Sequence, residues 1–368
     1  MLIALLALIL QQPADPVEKK AKNGVTYCVH LPKAYNPKVG SPAILWLHGS
    51  NMNASDYIAT FLAEKWFTDW ILIGIDGETG SKEKGHNYTF DSAKFIMEAY
   101  DEATKDLKIT RAFVGGHSQG AYVTYSVVME NPGRFAGAIP VSGGLWTQCE
   151  PGGFKTDVQE KQKQTAFAIV HGRADPVVDF DLAECAHFSF IDAGFPMVRL
   201  FDPKDGDHRF ALLPVKEAIE WCDSISDSDA KKLAFIIDKS IKEKRWRDAS
   251  VAAKRAKSAS MKQVEAAAAA AVKTLAPKMS KGDDSWVREF WAMRADFAFT
   301  DAAKPLMDAY AKLRGDHEKP AEGLFWGARG DFQKSDKAAG YKKYEEIVAK
   351  YYASSWYFYA KRSLEKRK

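Results

Sequence analysis

The distribution of apolar residues changes character near residue 223. Before this point, short runs rich in apolar and β-branched residues alternate with segments whose apolar residues recur every three or four positions. The first pattern predicts strands and the second predicts helices. The predicted strands are VTYCVHL (25–31), PAILWLHG (42–49), WILIGID (70–76), RAFVGG (111–116), FAGAIPVSG (135–143), TAFAIVHG (165–172) and PMVRLF (196–201).

Amphipathic segments separate these runs: ASDYIATFLAEKW, SAKFIMEAYDEATKDL, QGAYVTYSVVMEN, DFDLAECAHFSFIDAG and RFALLPVKEAIEWCDS. Nearly continuous apolar strands that alternate with helices are typical of a parallel sheet covered on both faces. We therefore predict an α/β domain with a mostly parallel, doubly covered sheet over residues 24–223. In such sheets the functional residues lie in loops beyond the carboxyl ends of the strands.

The strand pattern stops at DSISDSDA (223–230), and the rest of the chain is rich in Ala and Lys and has helical periodicity. This change predicts an all-α domain over residues 224–368. KEKRWRDASVAAKRAKSAS and GYKKYEEIVAKYYASSWYFYAKRSLEK resemble tetratricopeptide helix pairs, in which aromatic and alanine side chains pack neighbouring helices. The spacing between the two copies is irregular, so an ordinary helical bundle is an equal alternative.

Charge divides the chain in the same place. Residues 1–222 hold 21 Lys and Arg against 27 Asp and Glu, a balance of −6, whereas residues 223–368 hold 31 against 21, a balance of +10. The basic residues are interspersed with acids, so we interpret them as solvated helix faces and expect no nucleic-acid partner. The basic domain is nevertheless a candidate surface for a protein partner.

The first ten residues, MLIALLALIL, are all apolar. A run of this length is too short to cross a bilayer but is typical of the apolar region of a signal peptide. We therefore expect a signal peptide over residues 1–12, an exported protein and no transmembrane segment. The run lacks a preceding basic residue and a clear cleavage motif, so an apolar terminus packed on the fold is the alternative.

The four cysteines are not spaced as metal ligands usually are. An exported protein could pair some of them. If one disulfide forms, we expect it between Cys149 and Cys185, because both lie near loops that the strand pattern places beside the candidate site.

Ser118 is the first candidate functional residue. It lies in Gly116-His117-Ser118-Gln119-Gly120, a G-x-S-x-G pentad that follows the predicted strand RAFVGG and opens a predicted helix. Glycines allow a turn that is too tight for larger side chains. A serine in this strand–turn–helix context is exposed above the sheet, as a nucleophile must be.

A serine nucleophile needs a base, and the base needs a carboxylate to orient it. In this architecture the order along the chain is Ser, then Asp or Glu, then His. Asp175 follows the strand TAFAIVHG and His208 follows the strand PMVRLF, so both are predicted to lie in carboxyl-end loops near Ser118. The less well placed candidates for these two roles are Asp179, Asp181, His171, His187 and His317.

The predicted oxyanion donors are the backbone N–H groups of Ser50 and Gln119. Ser50 follows the dipeptide His-Gly at the end of the strand PAILWLHG, and Gln119 follows Ser118. Asn51 is the alternative to Ser50. His48, which opens this turn, is expected to have a structural role.

Trp146 is the predicted substrate-pocket residue, because it follows the strand that ends in VSGG. Trp46 is a weaker candidate, and a position in the core or at the rim is the alternative for both. The loop DPKDGD (202–207) lacks the twelve-residue ligand pattern of a calcium loop. We therefore interpret it as the polar loop that carries His208.

Residues 24–222 resemble an α/β hydrolase through the motifs LHGS, GGHSQG, HGRADPVV and DGDHRF. They resemble most the secreted single-domain esterases grouped with polyhydroxybutyrate depolymerases, feruloyl and acetylxylan esterases and dienelactone hydrolases. The resemblance implies hydrolysis of a carboxylic ester through an acyl-serine, with a Ser118–His208–Asp175 triad and no metal or cofactor. The expected substrate is an ester, either small or polymeric and derived from plant cell walls. Ala121 stands where many relatives have glycine, and it is small enough for the turn.

Other functions use the same fold. A serine peptidase of the prolyl-oligopeptidase type shares the catalytic domain, although its usual propeller is not evident in this sequence. An inactive hydrolase fold that serves as a binding module is disfavoured by the complete Ser–Asp–His order. A helical domain that docks the protein on a partner is compatible with ester hydrolysis.

Overall fold

The computed structural model describes residues 16–146, 156–279, 284–365 and 367. The chain divides into two compact units, Met1–Asp227 and Ser228–Lys368, which are described separately below. The expected signal peptide (1–12) lies outside the described residues, and so does Cys149, a partner in the expected disulfide. In the described ranges, no helix combines the length and apolar character needed to cross a membrane.

An eight-stranded sheet forms the centre of the first unit. Its strand order is β1-β2-β4-β3-β7-β8-β9-β10. The β1–β2 and β2–β4 pairs are antiparallel, and the remaining pairs are parallel. The strands are Val17–Lys20 (β1), Thr26–His30 (β2), Ser41–Leu47 (β3), Ile71–Ile75 (β4), Thr79–Ser81 (β5), Gly85–Asn87 (β6), Ile109–His117 (β7), Gly137–Val141 (β8), Ala166–Val170 (β9) and Val198–Phe201 (β10).

The sheet confirms the predicted fold class. Every residue of β4, β8 and β9 is buried. Because successive side chains of a strand point to opposite faces, burial of every residue means that both faces of the sheet are covered. The apolar runs predicted as strands from VTYCVHL to PMVRLF are all strands in the structure.

Three strands of the structure were not predicted from the sequence. β1 is a charged edge strand, VEKK, paired only with β2. β5 and β6 form a separate antiparallel hairpin of three residues each, TGS and GHN. Such short polar segments lack the alternation of apolar and polar residues from which strands are predicted.

The helices of the first unit are Ala54–Ala63 (α1), Ser92–Thr104 (α2), Gln119–Glu130 (α3), Thr156–Gln162 (α4), Phe180–Asp192 (α5) and Val215–Ser226 (α6). The segment RFALLPVKEAIEWCDS, predicted as one helix, is a short 3₁₀ helix at Phe210–Leu212 followed by α6. Pro214 stands between the two parts, and a proline favours the start of a helix over its interior because it has no N–H to donate. The loop that carries His208 is consequently separate from α6.

In the core beneath the carboxyl edge of the sheet, the backbone of Gly115 lies close to the ring of Trp46. Trp46 on β3 is fully buried and packs edge-on against Phe61 and Phe210. A Cβ added at Gly115 of the neighbouring β7 would lie 2.3 Å from the Trp46 ring. Glycine is therefore required at this position, and Trp46 is a core residue rather than a residue of a substrate pocket.

The second unit is helical in its described residues, as predicted. Trp286, Phe290 and Tyr310 form part of its core, with the last two rings stacked at 4.1 Å between centroids. The helices are Ala230–Lys242 (α7), Trp246–Arg255 (α8), Met261–Met279 (α9), Val287–Phe297 (α10), Lys304–Gln333 (α11), Lys337–Lys350 (α12) and Tyr357–Glu365 (α13).

Candidate active site

Ser118 lies in a sharp turn between β7 and α3. Its backbone has φ 54° and ψ −116°, in a region that residues other than glycine rarely adopt. Added Cβ atoms at Gly116 and Gly120 would each lie 2.4 Å from a backbone oxygen, so the pentad glycines permit the close packing around the turn. The Ser118 N–H donates to the Val141 carbonyl at 2.8 Å, which ties the turn to β8.

The structure brings Ser118, His208 and Asp175 together. The Ser118 hydroxyl lies 3.0 Å from His208 Nε2, and His208 Nδ1 lies 2.8 Å from Asp175 Oδ2. Because a carboxylate only accepts, Nδ1 carries the proton and Nε2 is free to accept from the serine. The loops after β9 and β10 deliver these two side chains, as their positions in the sequence predict.

The Asp175 carboxylate is held on several sides. Its Oδ1 accepts from the Val177 and Val178 N–H groups at 2.8 and 2.9 Å. Burial raises the pKa of Asp175, but hydrogen bonds from Val178, His208 and Val177 together bring it below its usual value. This carboxylate therefore stays ionised at neutral pH, where it accepts the hydrogen bond from His208 Nδ1.

Of the less well placed candidates for the base and the acid, His171 lies beside Asp175 and the others lie elsewhere. His171 Nε2 is 3.2 Å from the Asp175 carboxylate and hydrogen bonds to the Val178 carbonyl at 2.9 Å, so it flanks the acid. Burial lowers the pKa of His171. Asp179 and Asp181 begin α5, His187 lies within α5, and His317 belongs to the second unit.

The turn after β3 supplies the predicted oxyanion donor. The Asn51 N–H donates to the His86 carbonyl at 3.0 Å, so the alternative donor is already engaged. The Ser50 and Gln119 N–H groups donate to no protein group within the described ranges, and Gln119 is the first residue of α3, where N–H groups lack partners within the helix. These two donors are thus available for a ligand.

His48 supports this turn from within the core. Its Nδ1 donates to the Gly49 carbonyl at 2.7 Å, and its Nε2 accepts from the Gly77 N–H at 2.9 Å. Its ring stacks on Tyr88 with 4.4 Å between centroids. Burial lowers the pKa of His48 to about 4, so this side chain is a neutral structural support.

The β5–β6 hairpin, which the sequence analysis missed, holds the same turn from outside. The His86 N–H donates to the Met52 carbonyl at 2.9 Å, and the His86 ring lies 2.8 Å from Asn53 Oδ1. The Asn53 side chain in turn donates to the Lys82 carbonyl. The only signal in the sequence was the cluster of polar residues after β4, which by itself has no specific meaning.

His117 is a second residue whose role the sequence did not disclose. Its Nδ1 lies 2.7 Å from the Tyr57 hydroxyl, and its Nε2 lies 2.8 Å from the His208 carbonyl oxygen. A carbonyl oxygen only accepts, so Nε2 carries the proton and Tyr57 donates to Nδ1. Burial lowers the pKa of His117 to about 4. The neutral ring therefore anchors the backbone of His208, and its place beside Ser118 in the pentad was the available signal.

A cavity of about 640 Å³ opens beside His208. Trp146 does not line it. This tryptophan is half-buried and packs between Tyr122 and the exposed Phe90, with ring centroids 5.6 and 4.6 Å away. An added Cβ at Gly143, just before Trp146, would lie 2.9 Å from the Ser118 carbonyl oxygen. The segment leading to Trp146 therefore passes close to the candidate nucleophile.

Comparison with known proteins gives one family match. Residues 42–210 match the family model described as phospholipase/carboxylesterase, and this segment contains Ser50, Ser118, Asp175 and His208. No curated protein matches the chain.

Solved structures that match part of this chain include a ferulic acid esterase, 15% identical, with a TM-score of 0.44 over 56% of this chain and 94% of that chain. A thermostable esterase is 19% identical with a TM-score of 0.42, over 56% of this chain and 62%, less than two thirds, of that chain. A putative dienelactone hydrolase from Klebsiella pneumoniae subsp. pneumoniae is 12% identical with a TM-score of 0.43, over 56% of this chain and 95% of that chain.

Proposed function

We propose that the protein is a serine esterase. The proposal starts from the α/β-hydrolase fold of the first unit. In this proposal Ser118 attacks the carbonyl carbon of a carboxylic ester while His208 accepts the hydroxyl proton. Asp175 orients His208 and stabilises the imidazolium that forms. His208 then protonates the leaving alcohol, and a water molecule activated by the same base hydrolyses the acyl-serine.

The oxyanion of the tetrahedral intermediate is stabilised by the Ser50 and Gln119 N–H groups. Both are preorganised, Ser50 by the His48 ring and the β5–β6 hairpin, and Gln119 by its place at the start of α3. Donors that are fixed before the reaction need no reorganisation as charge develops, which makes them effective. The Gln119 side chain adds rigidity, because it exchanges two hydrogen bonds with the Tyr88 backbone.

The observation that carries the proposal is the uninterrupted chain from Ser118 Oγ through His208 to Asp175, at 3.0 and 2.8 Å. A nucleophile, a base and an orienting acid within hydrogen-bond reach form the arrangement that activates a serine. Beyond this triad and the two oxyanion donors, the proposed ester hydrolysis requires no other protein group.

A fluorophosphonate probe and p-nitrophenyl acetate test the proposal. We expect the wild-type protein to be labelled and active, and Ser118→Ala to lose both, because removing such a nucleophile costs on the order of a million-fold in turnover. Ser142→Ala is the matched control, since its buried hydroxyl has no partner among the described residues. Labelling that survives in Ser118→Ala, or turnover above a few per cent of wild type, contradicts the assignment.

The substrate and the setting are further parts of the proposal. Methyl ferulate, acetylated xylan and a peptide amide, assayed beside p-nitrophenyl acetate, separate the esterase from the peptidase. Ester turnover without amide turnover supports the esterase.

We further propose that residues 1–12 direct export. N-terminal sequencing of the mature protein from expressing cells checks this, and an N-terminus that retains these residues contradicts it.

A further inference from the structure

The cavity beside His208 has an apolar lining. Its walls come from α1, from the loop after Asp175 and from the segment after His208, and they include Met52, Tyr57, Val177 and Phe210. Its volume of about 640 Å³ falls within the range of sites that enclose small organic ligands, roughly 300–1,000 Å³. The cavity is therefore large enough for an aromatic ring or a medium alkyl chain.

Two of the three Asp and Arg side chains that border this cavity form an ion pair with each other. The Arg209 guanidinium lies 2.7–2.8 Å from the Asp207 carboxylate, and the Arg209 N–H donates to the same side chain. Asp56 accepts from the Asn53 N–H, and both His117 ring nitrogens are engaged. The border thus offers one net negative charge and no unpaired cation, which disfavours an anionic ligand.

The position of the cavity relative to the base indicates which part of an ester it holds. His208 forms part of the wall, and its Nε2 faces Ser118. The leaving oxygen must approach Nε2, because it receives the proton that Nε2 took from the serine. The group attached to that oxygen therefore lies next to the His208 ring, which is also part of the cavity wall.

We propose that this cavity binds the alcohol portion of the substrate and selects neutral esters with an aromatic or medium-chain alkyl alcohol. The proposal rests on the esterase function proposed above. In the acylation step a bond forms between Ser118 Oγ and the carbonyl carbon, and the bond between that carbon and the alcohol oxygen breaks. The alcohol departs with the proton from His208.

Two series of unactivated esters test this. Methyl, butyl, hexyl and 2-phenylethyl acetates vary the alcohol at nearly constant leaving-group basicity, whereas methyl acetate, butyrate and hexanoate vary the acyl group. We expect kcat/KM to rise with each alcohol methylene, by up to about fourfold where the methylene is fully buried, and by at least tenfold in total from methyl to hexyl acetate. A hexyl acetate analogue that ends in a carboxylate should be at least tenfold poorer than hexyl acetate.

Ala211→Trp fills the cavity, and Leu212→Trp is its control on the neighbouring exposed residue, which does not line the cavity. We expect Ala211→Trp to lose at least tenfold more in kcat/KM on hexyl acetate than on methyl acetate, and Leu212→Trp to match wild type on both. Probe labelling counts the folded active sites in each sample.

The outcomes separate the two proposals. Wild-type protein that neither reacts with the probe nor hydrolyses any ester overturns the esterase function. Labelled, active protein with a flat alcohol series, or with selectivity in the acyl series alone, overturns only the assignment of the cavity. The wild-type series decides this point even if Ala211→Trp fails to fold.

Discussion

Replacing Tyr57 with phenylalanine tests whether His117 positions the base. The Tyr57 hydroxyl donates to His117 Nδ1, and His117 Nε2 donates to the His208 carbonyl oxygen. Tyr57→Phe keeps the ring, which packs edge-on against Phe210 with 5.2 Å between centroids. It removes only the hydroxyl, and it leaves a buried ring nitrogen without a donor.

The expected cost follows from this geometry. An unsatisfied buried acceptor costs about 1–3 kcal/mol in the free energy of unfolding. Without Tyr57 fixing its tautomer, His117 can carry its proton on Nδ1, and the His208 carbonyl then loses its donor. If about 1 kcal/mol of this loss appears in the transition state, kcat falls about fivefold. Tyr57 also lines the cavity beside His208, but the alcohol of methyl acetate is too small to fill that cavity, so KM for this ester should hardly change.

Tyr125→Phe is the matched control. Tyr125 is also fully buried in the first unit, but its hydroxyl has no hydrogen-bond partner among the described residues. We expect this variant to be as stable as wild type or slightly more stable, with unchanged kcat. Urea unfolding gives the free energies, and initial rates on methyl acetate give kcat and KM.

Equal stability losses in Tyr57→Phe and Tyr125→Phe would refute the hydrogen-bond argument. A full stability loss in Tyr57→Phe with wild-type kcat would show that His117 supports the fold without positioning His208. A rise in KM for methyl acetate with unchanged kcat would show that the Tyr57 hydroxyl acts on the substrate and not through His117.

Three further results are expected. Ser50→Ala should be nearly as active as wild type, because the proposed donor is a backbone N–H. Ser50→Pro should lose roughly a hundred- to a thousand-fold in kcat, with circular dichroism to confirm that the variant is folded. Equal losses of kcat in the two variants would implicate the side chain. A chain ending at Asp227, which keeps the Arg111–Asp227 ion pair, should fold and hydrolyse p-nitrophenyl acetate at the full-length rate; a folded but inactive product contradicts this. Folded His48 and His117 stay neutral down to about pH 4, whereas the unfolded imidazoles take up protons below about pH 6.5. The free energy of unfolding should therefore keep its maximum value above pH 6.5 and fall by about 2 kcal/mol per histidine at pH 5. Equal urea midpoints at pH 7.5 and 5 would contradict this.

Much of the sheet was predictable because its strands are buried on both faces. A strand such as β4, ILIGI, has no polar position, and a run of this kind between amphipathic helices has few other interpretations. β1 and the β5–β6 hairpin are short polar segments, each defined by backbone pairing with a strand nearby in the chain. Their own side chains give no periodic signal, so the sequence did not disclose them.

The candidate triad was predictable because each member follows a strand in a fixed order. The supporting residues were not, because their roles depend on contacts across the fold. His117 acts on a residue 91 positions away through the His208 carbonyl, and Tyr57 acts on a residue 60 positions away. Only the folded chain brings these atoms within hydrogen-bond distance.

Two of the buried histidines of the first unit, His48 and His117, have parallel tasks. His48 fixes the turn that carries one proposed oxyanion donor, and His117 fixes the backbone of the proposed base. In both, burial keeps the ring neutral, with a pKa of about 4, so one nitrogen donates to a carbonyl oxygen while the other accepts. A charged imidazole could not accept from Gly77 or Tyr57. The same burial that makes these side chains costly at low pH therefore gives the site its fixed geometry at neutral pH.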